Sequence, residues 1–159
     1  RLIVAPRHLN RLDEGLAAFK GESVTLRTAI KAGAGDKTAG VMMLDTLGEL
    51  GVMYSLGNIA VIGGSFFPGV EGHNPLEPAG LGIPTVFGPF MGNFPDAAAM
   101  LLGAGGAFQV QSGDELIALI RSLLTRPESA RMVGNIGRNV VIKNQGAVAR
   151  TLSRIETFL

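Results

Sequence analysis

The sequence predicts an α/β protein, a doubly wound parallel sheet followed by a helical C-terminal tail. Short apolar or β-branched runs recur between stretches of helical spacing, which is the pattern of successive βαβ units. Polar or glycine-rich turns follow those runs, where open parallel sheets carry their binding loops. After Gln111 the strand pattern stops and only helical periodicity remains. The 159 residues suit one domain, by the soft prior of about 100–200 residues each.

Leu2–Ala5 is a short apolar run of the kind expected in a strand buried on both faces. Residues 10–19 have helical spacing, with Leu12, Leu16 and Phe19 on one side. Residues 24–28 are rich in β-branched side chains and predict a second strand, and residues 31–40 a polar, glycine-rich loop. Residues 41–44 predict a third strand, with a helix through Leu50 and Tyr54 behind it. The fourth and fifth strands are expected at 59–62 and 84–87, an alanine-rich helix at 95–102, and a sixth strand at 107–110. Ser112 with Glu115 fits a capping box. Leu116, Ile117, Ile120, Leu123 and Leu124 form the apolar stripe of the helix it opens. Pro127 suits the first turn of the next helix, and the last helix is expected over 146–159.

Composition narrows the function classes. A hydrophobic fraction of 47% excludes a disordered chain. With no cysteine, disulfides and thiolate metal sites are excluded, and two histidines make a structural zinc site unsupported. Residues 1–37 carry a net charge of +3 and residues 121–159 a net +5, while residues 38–120 hold seven acids and no Lys or Arg. A nucleic-acid protein is expected to present one dominant basic face, so nucleic acid is disfavoured. The uncharged stretch 50–70 is long enough to cross a bilayer. It contains Gly57-Asn58 and Gly63-Gly64, however, and reads as a helix, a break and a strand. No signal-peptide pattern opens the chain, and a start inside a strand-like run is expected of a piece whose N-terminal part lies elsewhere.

Three familiar motifs fail on inspection. The first strand is followed by Pro6-Arg7-His8-Leu9-Asn10-Arg11, not by a glycine fingerprint. Asp36 breaks a phosphate loop at Gly35-Asp36-Lys37-Thr38, and Phe67 breaks a nucleophile elbow at Gly63-Gly64-Ser65-Phe66-Phe67. Two constellations remain. Arg7 and Arg11 lie where a helix begins after a strand, a place suited to phosphate; the competing reading is of ordinary surface arginines. Asn74-Pro75-Leu76-Glu77 has the order of N-cap, N1 and capping-box carboxylate. A carboxylate at that point also suits both hydroxyls of a ribose. His73 is a turn residue or an acid. Asp45 or Thr46 caps the following helix, and Gly48 alternatively lets backbone approach a flat base.

Here the chain resembles the C-terminal domain of Kdo transferases, glycosyltransferases that move 3-deoxy-D-manno-octulosonic acid from CMP-Kdo onto lipid A precursor. The matching stretches run in order: Ala5-Pro6-Arg7-His8 with Arg11, Asp45-Thr46-Leu47-Gly48-Glu49-Leu50 with Tyr54, and Gly63-Gly64-Ser65. They continue through Gly72-His73-Asn74-Pro75-Leu76-Glu77-Pro78-Ala79, Gly88-Pro89 and Asn93-Phe94. The resemblance implies the Rossmann-like C-terminal half of a GT-B enzyme, with residues 1–159 as the CMP-Kdo-binding domain. It implies that Pro6 and Arg7 meet the CMP phosphate, Leu47, Gly48 and Glu49 the base, and Asn74, Pro75, Leu76 and Glu77 the ribose. Arg11, Gly64, Ser65 and His73 are the further donor contacts it suggests.

The catalytic base would be a Glu in the N-terminal domain, so no catalytic residue is expected in this chain. No cofactor or metal is implied beyond the donor substrate CMP-Kdo. Lipid A precursor and the membrane would be met through the N-terminal part, placing the full protein at the cytoplasmic face of a bacterial inner membrane and leaving this piece soluble. Two departures stand out: Glu71 replaces a usual Gly, and Phe90 a usual His after Gly88-Pro89. A GT-B domain for a UDP-sugar and a non-catalytic α/β interaction module are the competing readings.

Overall fold

The structure, a computed structural model, describes residues 1–157, without the side chains of residues 147–150. Phe158 and Leu159, at the end of the expected last helix, lie outside the described residues. The chain divides into two compact units, Arg1–Met53 and Tyr54–Leu159, and the short helix α3 (Leu50–Ser55) runs across the boundary. All strand pairs are parallel, as the alternation of strand and helix requires. Their hydrogen bonds form two three-stranded sheets, one in each unit.

In the first unit β1 (Leu2–Val4), β2 (Val24–Leu26) and β3 (Val41–Met43) pair in the order β1-β3-β2. Met42 pairs with Ile3 on one side and Thr25 on the other. The middle strand is the buried one, with Met43 fully covered. β1 is an edge of this ladder, so the expectation of burial on both faces does not hold there, and Leu2 is 48% exposed. A 3-10 turn at Leu9–Arg11 leads into α1 (Leu12–Ala17). Leu12, Leu16 and Phe19 share its half-buried side, and Gly15 lies over the Met43 side chain.

The predicted second strand is too long, because its end turns into α2 (Arg27–Lys31). The cause is not local. Leu26 cannot cap a helix, but Asp45 at the end of β3 accepts hydrogen bonds from the Thr28 N–H at 2.9 Å and from the Thr28 hydroxyl. A carboxylate at a helix start satisfies an orphan donor and complements the helix dipole.

The second unit holds β4 (Ala60–Ile62), β5 (Thr85–Phe87) and β6 (Phe108–Gln109), in the order β4-β5-β6. β5 is the central strand, and its alternation builds two cores. Phe87 joins Ile62, Ala79, Met91, Ala98 and Leu101, while Val86 joins Val110, Leu123 and Ala130. The helices are α4 (Leu76–Gly80), α5 (Pro95–Gly103), α6 (Gly113–Thr125), α7 (Pro127–Asn144) and α8 (Ala147–Glu156). No described helix is long and apolar enough to cross a membrane.

Ser112 caps α6 as expected, its hydroxyl accepting from the Glu115 N–H at 3.2 Å. The Glu115 carboxylate returns to the Gln111 N–H, one residue before the cap. The predicted stripe of α6 is corrected: Leu116, Leu119 and Leu123 face the core, whereas Ile117 and Leu124 are 52% and 61% exposed. Helix α7 approaches two turns closely through glycine. A Cβ on Gly134 would sit 2.1 Å from the Gly82 carbonyl oxygen, and one on Gly137 2.6 Å from that of Gly106.

Candidate functional site

Two groups of expected site residues lie in the first unit. Pro6 is half-buried and Arg7 exposed, directly after β1. Arg11 is committed to Glu14, one turn along, through two hydrogen bonds at 2.9 and 2.6 Å. That bidentate bond and the guanidinium charge hold the Glu14 carboxyl below its ordinary range. Arg11 is thus an ion-paired surface residue here.

The other group is the turn after β3. Leu47 is 82% exposed, and Gly48 takes φ +78°, a left-handed conformation that side chains resist. Neither Asp45 nor Thr46 caps the following helix. Asp45 is spent on Thr28 instead. Its partial burial acts to raise its pKa, but the bonds from the Thr28 hydroxyl and backbone N–H outweigh it, and the net direction is downward. Glu49 accepts from the Thr46 hydroxyl and from Arg27 Nη2 at 3.0 Å, with Lys31 Nζ at 3.8 Å. These bonds and charges, the Thr46 hydroxyl first, lower its pKa. The loop from Asp45 to Glu49 is therefore fastened at both ends to α2.

In the second unit β4 ends in a 3-10 turn, Gly63–Phe66. Ser65 is fully buried. Its hydroxyl donates to the Ile62 carbonyl and accepts from the Gly88 N–H at 2.6 Å, so this hydroxyl joins the ends of β4 and β5 rather than facing a ligand. Gly64 lies against the His73 ring, where a Cβ would come 3.5 Å from Nε2. His73 Nδ1 is 2.6 Å from the Gly72 carbonyl oxygen. A carbonyl only accepts, so Nδ1 carries the hydrogen of this bond.

The turn before α4 bears the second constellation. The expected capping box does not form: α4 begins at Leu76 with Pro75 at its N-cap and no side-chain cap, and Asn74 Oδ1 instead accepts from the Leu76 N–H, two residues on, at 3.0 Å. Glu77 Oε1 accepts from the Asn74 side-chain amide at 3.2 Å, not from backbone. Pro75 and Pro78 are fully buried and pin the turn, while Glu77 is exposed. Burial raises the Tyr54 pKa, and the nearby Glu77 charge adds to it. Glu77 is thus an oriented carboxylate with acceptor capacity left over.

Sequence reasoning missed a clamp beside this turn. Glu71 takes φ +59°, in the region that favours glycine. Its carboxylate accepts from the Gly69 N–H at 3.1 Å and the Gly92 N–H at 3.2 Å, and its carbonyl from the Asn93 N–H at 3.0 Å. Glu71, Phe90, Met91 and Gln109 help to line an open depression of about 440 Å³. Glu71 and Phe90 thus border one hollow.

The fold and these loops define a class: a parallel α/β binding domain whose polar groups are carried on turns after the strands. No family model matches the chain. Its relatives among curated proteins are the 3-deoxy-D-manno-octulosonic acid transferases. It is 33% identical over 159 residues to that of Haemophilus influenzae, covering 99% of this chain and 37% of the relative. To that of Bordetella pertussis it is 30% identical over 159 residues, covering 99% and 37%. Among solved structures it matches the C-terminal CMP-Kdo binding domain of WaaA from Acinetobacter baumannii, at 27% identity and TM-score 0.80 over 87% of this chain and 72% of that one. The chain is a relative of the Kdo transferases, spans little more than a third of the length of these curated relatives, and resembles the C-terminal CMP-Kdo binding domain of WaaA.

Proposed function

We propose that the chain is the donor-binding domain of a Kdo transferase and holds CMP-Kdo. The observation that carries this reading is the close structural match to a domain described as CMP-Kdo binding. Pro6 and Arg7 take the phosphate, where a guanidinium offers paired donors to its oxygens. The turn Leu47–Gly48 with Glu49 takes the base. Asn74, Pro75 and Leu76 build the turn from which Glu77 accepts the ribose hydroxyls. Asn74 already fills part of one Glu77 oxygen and so sets the orientation of the carboxylate.

Transfer then follows by substitution at the anomeric carbon of Kdo. The bond from that carbon to the phosphate oxygen breaks, and its electron pair leaves with CMP. An acceptor hydroxyl oxygen forms the new bond, and its proton passes to a base outside this chain. The contribution of Arg7 is electrostatic, strengthening as charge develops on the departing phosphate. The acceptor in this proposal is lipid A precursor, the architecture is GT-B, and the setting is the cytoplasmic face of the bacterial inner membrane.

Calorimetry with CMP, UMP and UDP tests the reading. CMP is expected to bind most tightly, and Arg7→Ala to bind cytidine normally while losing the preference for CMP over cytidine. Tighter binding of UDP would make this a UDP-sugar domain, and binding of no nucleotide would leave a non-catalytic interaction module.

A further inference from the structure

We propose that Arg27, assisted by Lys31, is a positioning residue for base selectivity: it holds Glu49 so that the Leu47–Gly48 backbone is presented to the base in a fixed shape. The proposal rests on the donor-binding reading above. Glu49 is the residue of this turn with a carboxylate to offer the cytosine amine. Yet Arg27 Nη2, the Thr46 hydroxyl and Lys31 already surround it. Both cations lie on Oε1 and the Thr46 hydroxyl on Oε2, so the carboxylate is fixed in place by α2 and by its own loop. The arrangement makes Glu49 the end post of the loop, with Asp45 bound to Thr28 as the other post.

Between the posts lie Thr46, Leu47 and Gly48. Gly48 at φ +78° gives that stretch a backbone shape few other residues would keep. Cytosine and uracil exchange a donor for an acceptor at one ring position. Fixed backbone N–H and C=O groups discriminate between them, because the wrong base leaves buried polar groups unpaired. Discrimination of this kind requires that the loop not relax, which is the service Arg27 provides. The Arg27 and Glu49 side chains are 24% and 23% exposed, so their ion pair is shielded from most of the solvent. Arg27 Nε is buried without a hydrogen-bond partner. An unsatisfied buried donor is a cost that calls for a reason, and the reason offered here is that the guanidinium is held where it reaches Glu49.

The test measures the ratio of the UMP to the CMP dissociation constant by calorimetry, beside a thermal melt of each variant. Arg27→Ala is expected to lower the ratio about fivefold or more, with Arg27→Lys recovering most of it. Arg27→Ala combined with Glu49→Gln is expected to fall no further than either single change, since both break one coupling. A folded Arg27→Ala chain with an unchanged ratio, whatever its melting temperature, would overturn the proposal. If Arg27→Ala does not fold, Glu49→Gln and Thr46→Val carry the same test, and an unchanged ratio in both overturns it. Wild-type chain that binds neither nucleotide removes the donor-binding reading itself, and the proposal with it.

Discussion

Glu71 sets a strained backbone against two hydrogen bonds, and two substitutions separate these terms. At φ +59° a side chain other than glycine costs roughly 1–2 kcal/mol. The carboxylate bonds to the Gly69 and Gly92 N–H groups contribute about 1 kcal/mol each, the usual net value for a hydrogen bond made in folding. Glu71→Ala removes both bonds and keeps the strain, a loss of about 2 kcal/mol. Glu71→Gly removes the bonds and relieves the strain, but gives back roughly 0.5–1 kcal/mol through the extra freedom of the unfolded chain. Glycine should then be the better of the two by about 0.5–1 kcal/mol, and still less stable than the wild type. For a chain of this size each kcal/mol moves the melting temperature by about 2–4 °C. The expected order of melting temperatures is wild type, then glycine, then alanine, read by calorimetric or circular-dichroism melts. Alanine melting level with glycine would refute the strain, and glycine melting at or above the wild type would refute the contribution of the bonds.

Gly134→Ala would place a Cβ 2.1 Å from the Gly82 carbonyl oxygen; the resulting clash of backbone and side chain should cost about 1–3 kcal/mol by urea unfolding, while Gly103→Ala, which meets nothing within 4 Å, should be neutral. For Glu77→Gln, CMP affinity should fall, and the losses from this variant and from a 2′,3′-dideoxy analogue of CMP should be non-additive, because both delete one interaction; a lowered melting temperature with unchanged affinity would reduce Glu77 to a structural residue. Asp45 is ionised more readily in the folded chain than in the unfolded one. Its contribution is therefore complete above the unfolded value near pH ~4 and is lost as pH falls through the lower folded value. Urea melts at descending pH should show Asp45→Asn losing less stability on acidification than wild type, and parallel losses would contradict this.

The departures at Glu71 and Phe90 show where motif reading stops. The positive φ at Glu71 is a shape that glycine takes without strain, and Glu71 keeps that shape through bonds to residues on both sides of it. Nothing in the local string Val70-Glu71-Gly72 announces that its carboxylate will meet Gly92, twenty-one residues away.

Some of this protein is written in short stretches of chain. Brief apolar runs bounded by turn residues locate the strands, since both signals are local. Ser112 before α6 and the prolines opening α5 and α7 act within one helical turn, and they mark those helices correctly. The ordered motifs from Ala5 to Phe94 likewise carry the resemblance to the Kdo transferases. Tertiary structure decided what depends on distant partners. It made α2 a helix, because the carboxylate that caps it comes from Asp45, seventeen residues on. It chose Leu119 over Ile117 and Leu124 as the buried face of α6, because helical periodicity fixes the width of an apolar stripe and the opposing strand fixes its direction. It also paired the strands as β1-β3-β2 and β4-β5-β6. Ladder partners are joined only through long crossovers, and no short window of sequence contains both members of a pair.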